Sequence, residues 1–373
     1  MVTTHVIDER DPDGTLSFGQ ALAGGRSAAL FAVLAGVSLA LMTGRRLPVR
    51  GRERMARSLG IVVRALLIAG VGLFLGGLGS GLAIILTYYG VLFLLGLPFV
   101  GLRAPALLGI AGVWVVVGPL LSQWLRPDLQ PRGYASPYFD QLDEPGRLLS
   151  ELTFTGYYPV VPWLVYLLVG MAIGRMDLTA RRVQLWLAGG GAVIAVVATV
   201  VSHYLTSRPS VARALVASTA DAWTARTGPD LVNEISSGMF GNTPTGGPWE
   251  WLLVVAPHST TPFDLAQTIG SAMLVIGLCL FLVGSLDASG VRTMAIVFGA
   301  GTMTLSLYTL HVIMRTEYVL PEETPSSFPY HVIALLGIGA LYVYGGRRGP
   351  LEWVVAALSG KAIARVRGKA ETR

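Results

Sequence analysis

Apolar residues in this chain fall into long unbroken runs, separated by short polar connections that are often rich in arginine. Runs of about 17 residues or more match the hydrocarbon core of a bilayer, roughly 30 Å thick. Nine such runs occur: 27–43, 60–78, 82–100, 105–125, 157–174, 183–204, 264–286, 293–314 and 331–346. They predict an all-α polytopic transmembrane helix bundle forming a single integral membrane domain over 1–373. The polar remainder consists of 1–26, loops 126–156 and 205–263, and a basic tail at 347–373.

Composition agrees with the pattern: 53% of residues are hydrophobic, 13% are charged, and the mean hydropathy is +0.60. Such a chain is too apolar and too poor in charge for a soluble domain. The formal charge of +6 resides in the connections and the tail, which fits topology and anionic lipid headgroups and predicts no nucleic-acid partner. Orientation follows from GRRLPVRGRERMARS, residues 44–58, with six arginines and one glutamate between the first two runs. Arginine in a short connection marks the cytoplasmic side.

Alternation then places Arg175, Arg181 and Arg182 inside, together with Arg347, Arg348, Lys361, Arg365 and Arg367 of the tail. Segments 1–26, 126–156 and 205–263, and PEET with Glu322 and Glu323, fall outside. The N-terminus is therefore expected outside and the C-terminus in the cytoplasm. Nothing in MVTTHVIDERDPDG would carry residues 1–26 across, so a tenth helix is expected before Met1; the alternative is that the first run draws a short acidic tail outward.

Much reactive chemistry is excluded. The single cysteine, Cys279, permits no intrachain disulfide and no zinc cluster of cysteines. HExxH, CxxC, a serine-hydrolase elbow and a Walker motif are absent, and no metal is expected. GGLGSG at 76–81 joins two runs without the strand and the Lys-Ser/Thr that a phosphate loop needs. Intramembrane glycines such as Gly72, Gly189–Gly191, Gly299, Gly301, Gly337 and Gly339 are expected to pack helices closely. Trp223, Trp249 and Trp251 read most simply as an interfacial belt, with stacking on a sugar or headgroup as the lesser reading.

The five histidines, His5, His203, His258, His311 and His331, all map to the outer face. Interfacial preference accounts for part of this but not for its one-sidedness. His258 lies in APHSTTPFDLAQTIGS, where Asp264 and Gln267 follow at helical spacing. As structure, this is a capped helix start. As chemistry, His258 would be a general base, with Asp264 orienting it or holding a substrate hydroxyl or amine. His311, in TMTLSLYTLHVIM, lies about one turn below the surface, where a titratable side chain is either a site or a neutral histidine bonded to another helix. Tyr88 and Tyr89 would line a cavity or bridge helices; Tyr157, Tyr158, Pro159, Pro162 and Trp163 form a rigid aromatic start to the fifth run.

Six segments in order, FAVLAGVSLAL, RALLIAGVGLFLG, ILTYYGVLFLLGLPF, GYYPVVPWLVYLLVGMAIGRMDL, APHSTTPFDLAQTIGSAM and TLSLYTLHVIM, resemble bacterial members of the heparan-α-glucosaminide N-acetyltransferase-like transmembrane acyltransferases. The likeness is spread thinly over 27–346. It implies a bacterial cell membrane protein that takes acetyl-CoA, or another acyl-CoA, from the cytoplasm. The acyl group would pass to an extracytoplasmic glycan or lipid acceptor of the cell envelope. It also implies that Arg45, Arg46, Arg50, Arg52, Arg54 and Arg57 meet the CoA phosphates, and that a first helix ends where MVTTHV begins.

One departure stands out: the family's catalytic histidine falls near Thr15, and no histidine occurs from Val6 to Ser202. His5 shares that loop but lies about ten positions early. Either His258 or His311 takes the role, or this branch does different chemistry. The competing readings are a transporter or flippase of an envelope precursor and a non-catalytic membrane scaffold, and a homo-oligomer is left open.

Overall fold

The computed structural model describes residues 1–133, 136–219, 225, 227–319 and 324–368. Trp223, Glu322, Glu323 and Lys369 lie outside them. Every long apolar run is helical, as hydrocarbon requires of a backbone that must satisfy its own polar groups. In chain order the principal helices are α1 (Val2–Val6), α2 (Arg26–Met42), α3 (Gly51–Gly76), α4 (Leu86–Gly96), α5 (Ala104–Leu125) and α6 (Val160–Gly174). There follow α7 (Arg181–Thr206), α8 (Pro262–Val283), α9 (Ala288–Val297), α10 (Thr304–Met314), α11 (Phe328–Tyr344) and α12 (Pro350–Gly368). The described residues contain no strand beyond one isolated bridge between Arg10 and Leu16.

The fold class is all-α as expected, but nine full-length spans are not seen. Among the described residues, six helices are long and apolar enough to cross a membrane, or seven if Pro145–Thr155 and Val160–Gly174, bent by 54°, count as one. Run 82–100 is short because Pro98 stops α4 at Gly96 and the chain continues as a 3-10 turn to Gly101. Run 293–314 is broken into α9, a 3-10 turn at Gly299–Thr302, and α10. There Gly299 and the backbone of Ala300 press against Gly339 of α11. Glu352 of α12 closes the break: its Oε1 accepts from the Leu305 and Ser306 amides at 2.7 and 3.0 Å.

Helix α6 is the axis of the bundle, buried at every residue except Val161, as expected for a helix that is apolar all round. α2 seats on it where Gly36 meets the Leu167 carbonyl and Gly170 meets the Val33 carbonyl. α7 pairs with α8 through Gly191, Gly270 and Gly277. Gly189, Gly301 and Gly337 have nothing within 4 Å of an added Cβ, so packing does not explain those three.

The basic C-terminal segment folds as α12, antiparallel to the start of α3. Arg52 donates to the Val366 carbonyl at 2.6 and 3.0 Å, Arg367 pairs with Glu53, and Gly60 lies under Ile363. Loop 205–263 has its own small core of Leu215, Leu231, Ile235, Met239, Trp251 and Val254. Trp251 is fully buried there rather than interfacial, whereas Trp249 is 54% exposed. Arg126 ties this loop to α5, donating to the Thr243 carbonyl at 2.5 Å and the Thr243 hydroxyl at 2.7 Å.

Candidate active site

Where α2, α6 and α8 begin, segments distant in sequence meet around His258. The turn that carries it runs against ordinary backbone preference: His258 and Thr260 have φ of 59° and 57°, a conformation that costs energy in residues with a Cβ. Three hydrogen bonds hold it. The Thr260 amide donates to Asp264 Oδ2 at 2.9 Å, the Thr260 hydroxyl to the Gly241 carbonyl at 2.6 Å, and the Thr261 hydroxyl to the Val254 carbonyl at 2.5 Å. Thr261 also caps α8, accepting from the Asp264 amide at 3.1 Å, as the HSTTPFD pattern predicts.

Asp264 is buried, and no hydrogen bond among the described residues joins its carboxylate to the His258 ring. It acts on the turn, through the Thr260 amide. The cation that attracts it is Arg26, the first residue of α2. Gly25, at φ +67°, brings Arg26 alongside, with Pro257 packed 3.1 Å from where its Cβ would be.

The His258 ring faces an aromatic wall, with centroids 4.9 Å from Tyr157 and 5.7 Å from Tyr158. The wall continues through Trp163, 5.1 Å from Tyr158, to Tyr166, 5.0 Å further on. The Tyr166 hydroxyl lies 2.7 Å from Thr268 Oγ1, which donates to the Asp264 carbonyl at 2.6 Å. Wall and turn are thus tied to the same start of α8. His258 Nδ1 is buried without a partner among the described residues, and burial pushes the imidazole down to about 4. Near pH 7 the ring is neutral with one nitrogen uncommitted, so it can accept a proton, as a weaker base than a solvent-exposed imidazole. Above it the Arg132 guanidinium lies 5.6 Å from the Tyr157 ring and 5.4 Å from Phe240, a ring 69% exposed.

His311 is 2% exposed and bonded on both sides: Nε2 is 3.0 Å from His5 Nδ1, and Nδ1 is 3.1 Å from His331 Nδ1. It also borders a largely apolar cavity of about 370 Å³ lined by Phe31, Thr304, Leu307, Tyr308 and Leu335. His258 in turn is close enough to His5 for a charge on one to disfavour a charge on the other. His203 lies at the same end but is exposed, bonded to its own helix through the Thr199 carbonyl at 2.8 Å. All five histidines therefore gather at one end of the bundle. Tyr88 and Tyr89 are buried bridges: Tyr89 donates to the Ala28 carbonyl at 3.2 Å and Tyr88 accepts from the Tyr157 amide at 3.3 Å.

Sequence reasoning singled out His258, Asp264 and His311 as candidates but gave no role to Arg26, His331, Arg132 or Phe240. The signal available was the one-sided distribution of histidine; the rest needs the helix ends brought together.

The opposite end holds Arg175 and the arginines of connection 44–58, most of them committed. Buried Arg175 caps α2, donating to the carbonyls of Ala40, Arg45 and Val100 at 2.9, 2.7 and 2.6 Å. Arg46 pairs with Asp177 at 2.9 Å, Arg57 with Glu53 at 2.7 Å, and Arg54 donates to the Pro98 carbonyl at 3.1 Å. Arg45 and Arg50 make no side-chain bond among the described residues. Among the described residues, no group of three or more His, Cys, Asp or Glu side chains could hold a metal ion.

A family model described as heparan-alpha-glucosaminide N-acetyltransferase, catalytic, matches residues 5–207. The match takes in His5, Arg26, Tyr157 and Tyr158 and stops short of His258, Asp264 and His311. No curated protein and no solved structure matches the chain. The helical bundle and a family match covering more than half of its length place this chain in the heparan-alpha-glucosaminide N-acetyltransferase catalytic family.

Proposed function

We propose that this multi-pass membrane protein of an acetyltransferase family moves an acetyl group from cytoplasmic acetyl-CoA, or another acyl-CoA, to a hydroxyl or amine of an extracytoplasmic glycan or lipid in the cell envelope. The observation that carries the reading is the uncommitted nitrogen of neutral His258 against the Tyr157–Tyr158 wall. His258 takes the acceptor's proton as the acceptor oxygen or nitrogen attacks the thioester carbonyl carbon. The C–S bond breaks, and the CoA thiolate leaves and takes up a proton. Arg26, beside the same turn, is the cation suited to the developing oxyanion. Asp264 positions His258 by holding the Thr260 amide.

His311 has both ring nitrogens engaged by other histidines and is the less direct base. On the donor side, Arg45 and Arg50 are the loop arginines still able to meet CoA phosphates. In this reading the arginine end faces the cytoplasm and the histidine end faces outward. The short helix α4 and the broken α9–α10 pair complete nine passes.

The test uses the purified full chain with radiolabelled acetyl-CoA and an envelope extract. Label on the extract that disappears in His258→Gln supports the reading; unchanged transfer in His258→Gln, or none by the unmodified chain, sinks it.

A second reading, transport of an envelope precursor, is favoured by one observation: the broken backbone at Ala300 and Gly301 borders the cavity beside His311. Movement of precursor across sealed vesicles without acetyl-CoA would select it.

A further inference from the structure

Arg132 and Phe240 stand at the rim of the aromatic wall beside His258, and the backbone beneath each is pinned. Arg132 lies in the coil that follows α5. On one side of it Ser150 donates to the Gln130 carbonyl at 3.0 Å, and on the other the Gly133 amide faces the buried Glu151 carboxylate. Phe240 is fixed by the residues that follow it. Gly241, at φ +96°, lies so close to the Gly156 carbonyl and the Tyr157 backbone that a Cβ would come within 2.5 Å of them. Its carbonyl accepts from the Thr260 hydroxyl at 2.6 Å, and Asn242 donates to the carbonyls of Phe154 and Gly156 at 3.0 and 3.1 Å. The turn that carries His258 therefore also holds Phe240.

Neither side chain is used up by the fold. The Phe240 ring is 69% exposed although its backbone is fixed, and an exposed apolar surface rimmed by polar groups marks a binding surface. The Arg132 guanidinium lies within cation–π range of Phe240 and Tyr157. Among the described residues it donates no hydrogen bond and joins no ion pair, so its N–H fork is uncommitted. The Tyr157 ring beneath it is the one whose centroid lies 4.9 Å from that of His258. A ligand seated on Arg132 and Phe240 is thus one aromatic ring away from the imidazole.

The charge at this rim selects the ligand. Two charges act on Tyr157, Arg132 first and the opposing Glu9 second. With Arg147 tied to Glu144 at 3.5 Å, Arg132 is a cation still able to meet a ligand. A planar guanidinium matches the paired oxygens of a phosphate or carboxylate, and an open aromatic face matches the C–H face of a sugar ring.

We propose that Phe240 and Arg132 form the acceptor-binding subsite, with a sugar ring on Phe240 and an anionic phosphate or carboxylate of that sugar on Arg132. The inference rests on the acyl-transfer reading above and deepens it by naming the class of acceptor, an anionic sugar.

Binding is measured apart from transfer. Glucose, glucuronate, glucose 6-phosphate and inorganic phosphate are titrated onto the purified full chain and onto Arg132→Gln, Arg132→Lys and Phe240→Ala, with thermal midpoints alongside. The subsite predicts that an anionic sugar binds roughly tenfold to hundredfold more tightly than glucose. Preference for glucose 6-phosphate marks a phosphate-bearing acceptor, and preference for glucuronate a carboxylate-bearing one. Arg132→Gln removes the preference and Arg132→Lys, which keeps the charge but not the fork, retains only part of it. Phe240→Ala weakens every sugar roughly threefold to tenfold and leaves inorganic phosphate unchanged, and all three variants keep the unmodified midpoint. Equal binding of glucose and the charged sugars, a preference that survives Arg132→Gln, or inorganic phosphate bound as tightly as the sugar phosphate overturns the subsite while the acyl-transfer reading stands. The predicted binding in a chain that transfers no acetyl group supports the subsite and removes acyl transfer instead.

Discussion

At the scale of single residues, the site depends on a turn that two side chains would ordinarily avoid. His258 and Thr260 hold positive φ because the Asp264 carboxylate accepts from the Thr260 amide inside the protein. Asp264→Ala is therefore expected to misplace His258, lowering transfer roughly hundredfold and stability by about 1–3 kcal/mol. Asp264→Asn, whose oxygen still accepts from Thr260, should keep most of both. An Asn variant as poor as Ala in a transfer assay would mean that the carboxylate charge acts on His258 directly. Protonation gives a second expectation. The unfolded chain takes a proton on this histidine near 6.5 and the folded chain only near 4. As pH falls from 6.5 to 4 the unfolded state binds the proton first, so stability drops across that window and levels off below it. Transfer that needs neutral His258 should hold from neutral pH down to about 5 and fall through about 4; a pH–rate profile with its midpoint near 6.5 would contradict the assignment. The capped helix start in HSTTPFD was legible from sequence, and so was the nearness of His258 and Asp264 at the start of α8. That Asp264 works through the turn was not, because it depends on a backbone angle that no spacing encodes. Arg26 and His331 were equally hidden, since each stands alone in its segment and acquires neighbours only through tertiary contact.

At the scale of elements, the long apolar runs became helices, and what hydropathy missed was where they break. An average over 82–100 gives Pro98 no special weight, yet it ends α4; an average over 293–314 ignores the contact between Gly299 and Gly339 that splits the run. Close packing was legible as glycine content but not glycine by glycine. Gly170 lies against the Val33 backbone, so Gly170→Ala forces α2 away from α6, whereas Gly189 has open space around it. The first should cost about 1–3 kcal/mol by overpacking and the second should be neutral or slightly stabilising; equal midpoints for the two variants in detergent would refute this account of the α2–α6 contact. Glu352→Ala should likewise loosen α10 by about 1 kcal/mol or more, because two amides at its start lose their acceptor.

At the scale of the whole molecule, the histidines gather at one end and the arginines of 44–58 and α12 at the other, and the proposed orientation assigns these ends to the two sides of the membrane. In a Cys279→Ser background, Asp13→Cys should react with an impermeant maleimide in intact cells, and Ala364→Cys only after permeabilisation. The reverse pattern would invert the topology. Transfer from one side to the other is the central claim, and sealed proteoliposomes test it most directly, with labelled acetyl-CoA confined to the arginine side and acceptor to the histidine side. The account predicts label on the acceptor across the membrane, abolished by His258→Gln. Label appearing only on acceptor that shares a compartment with acetyl-CoA, or label undiminished in His258→Gln, would contradict it.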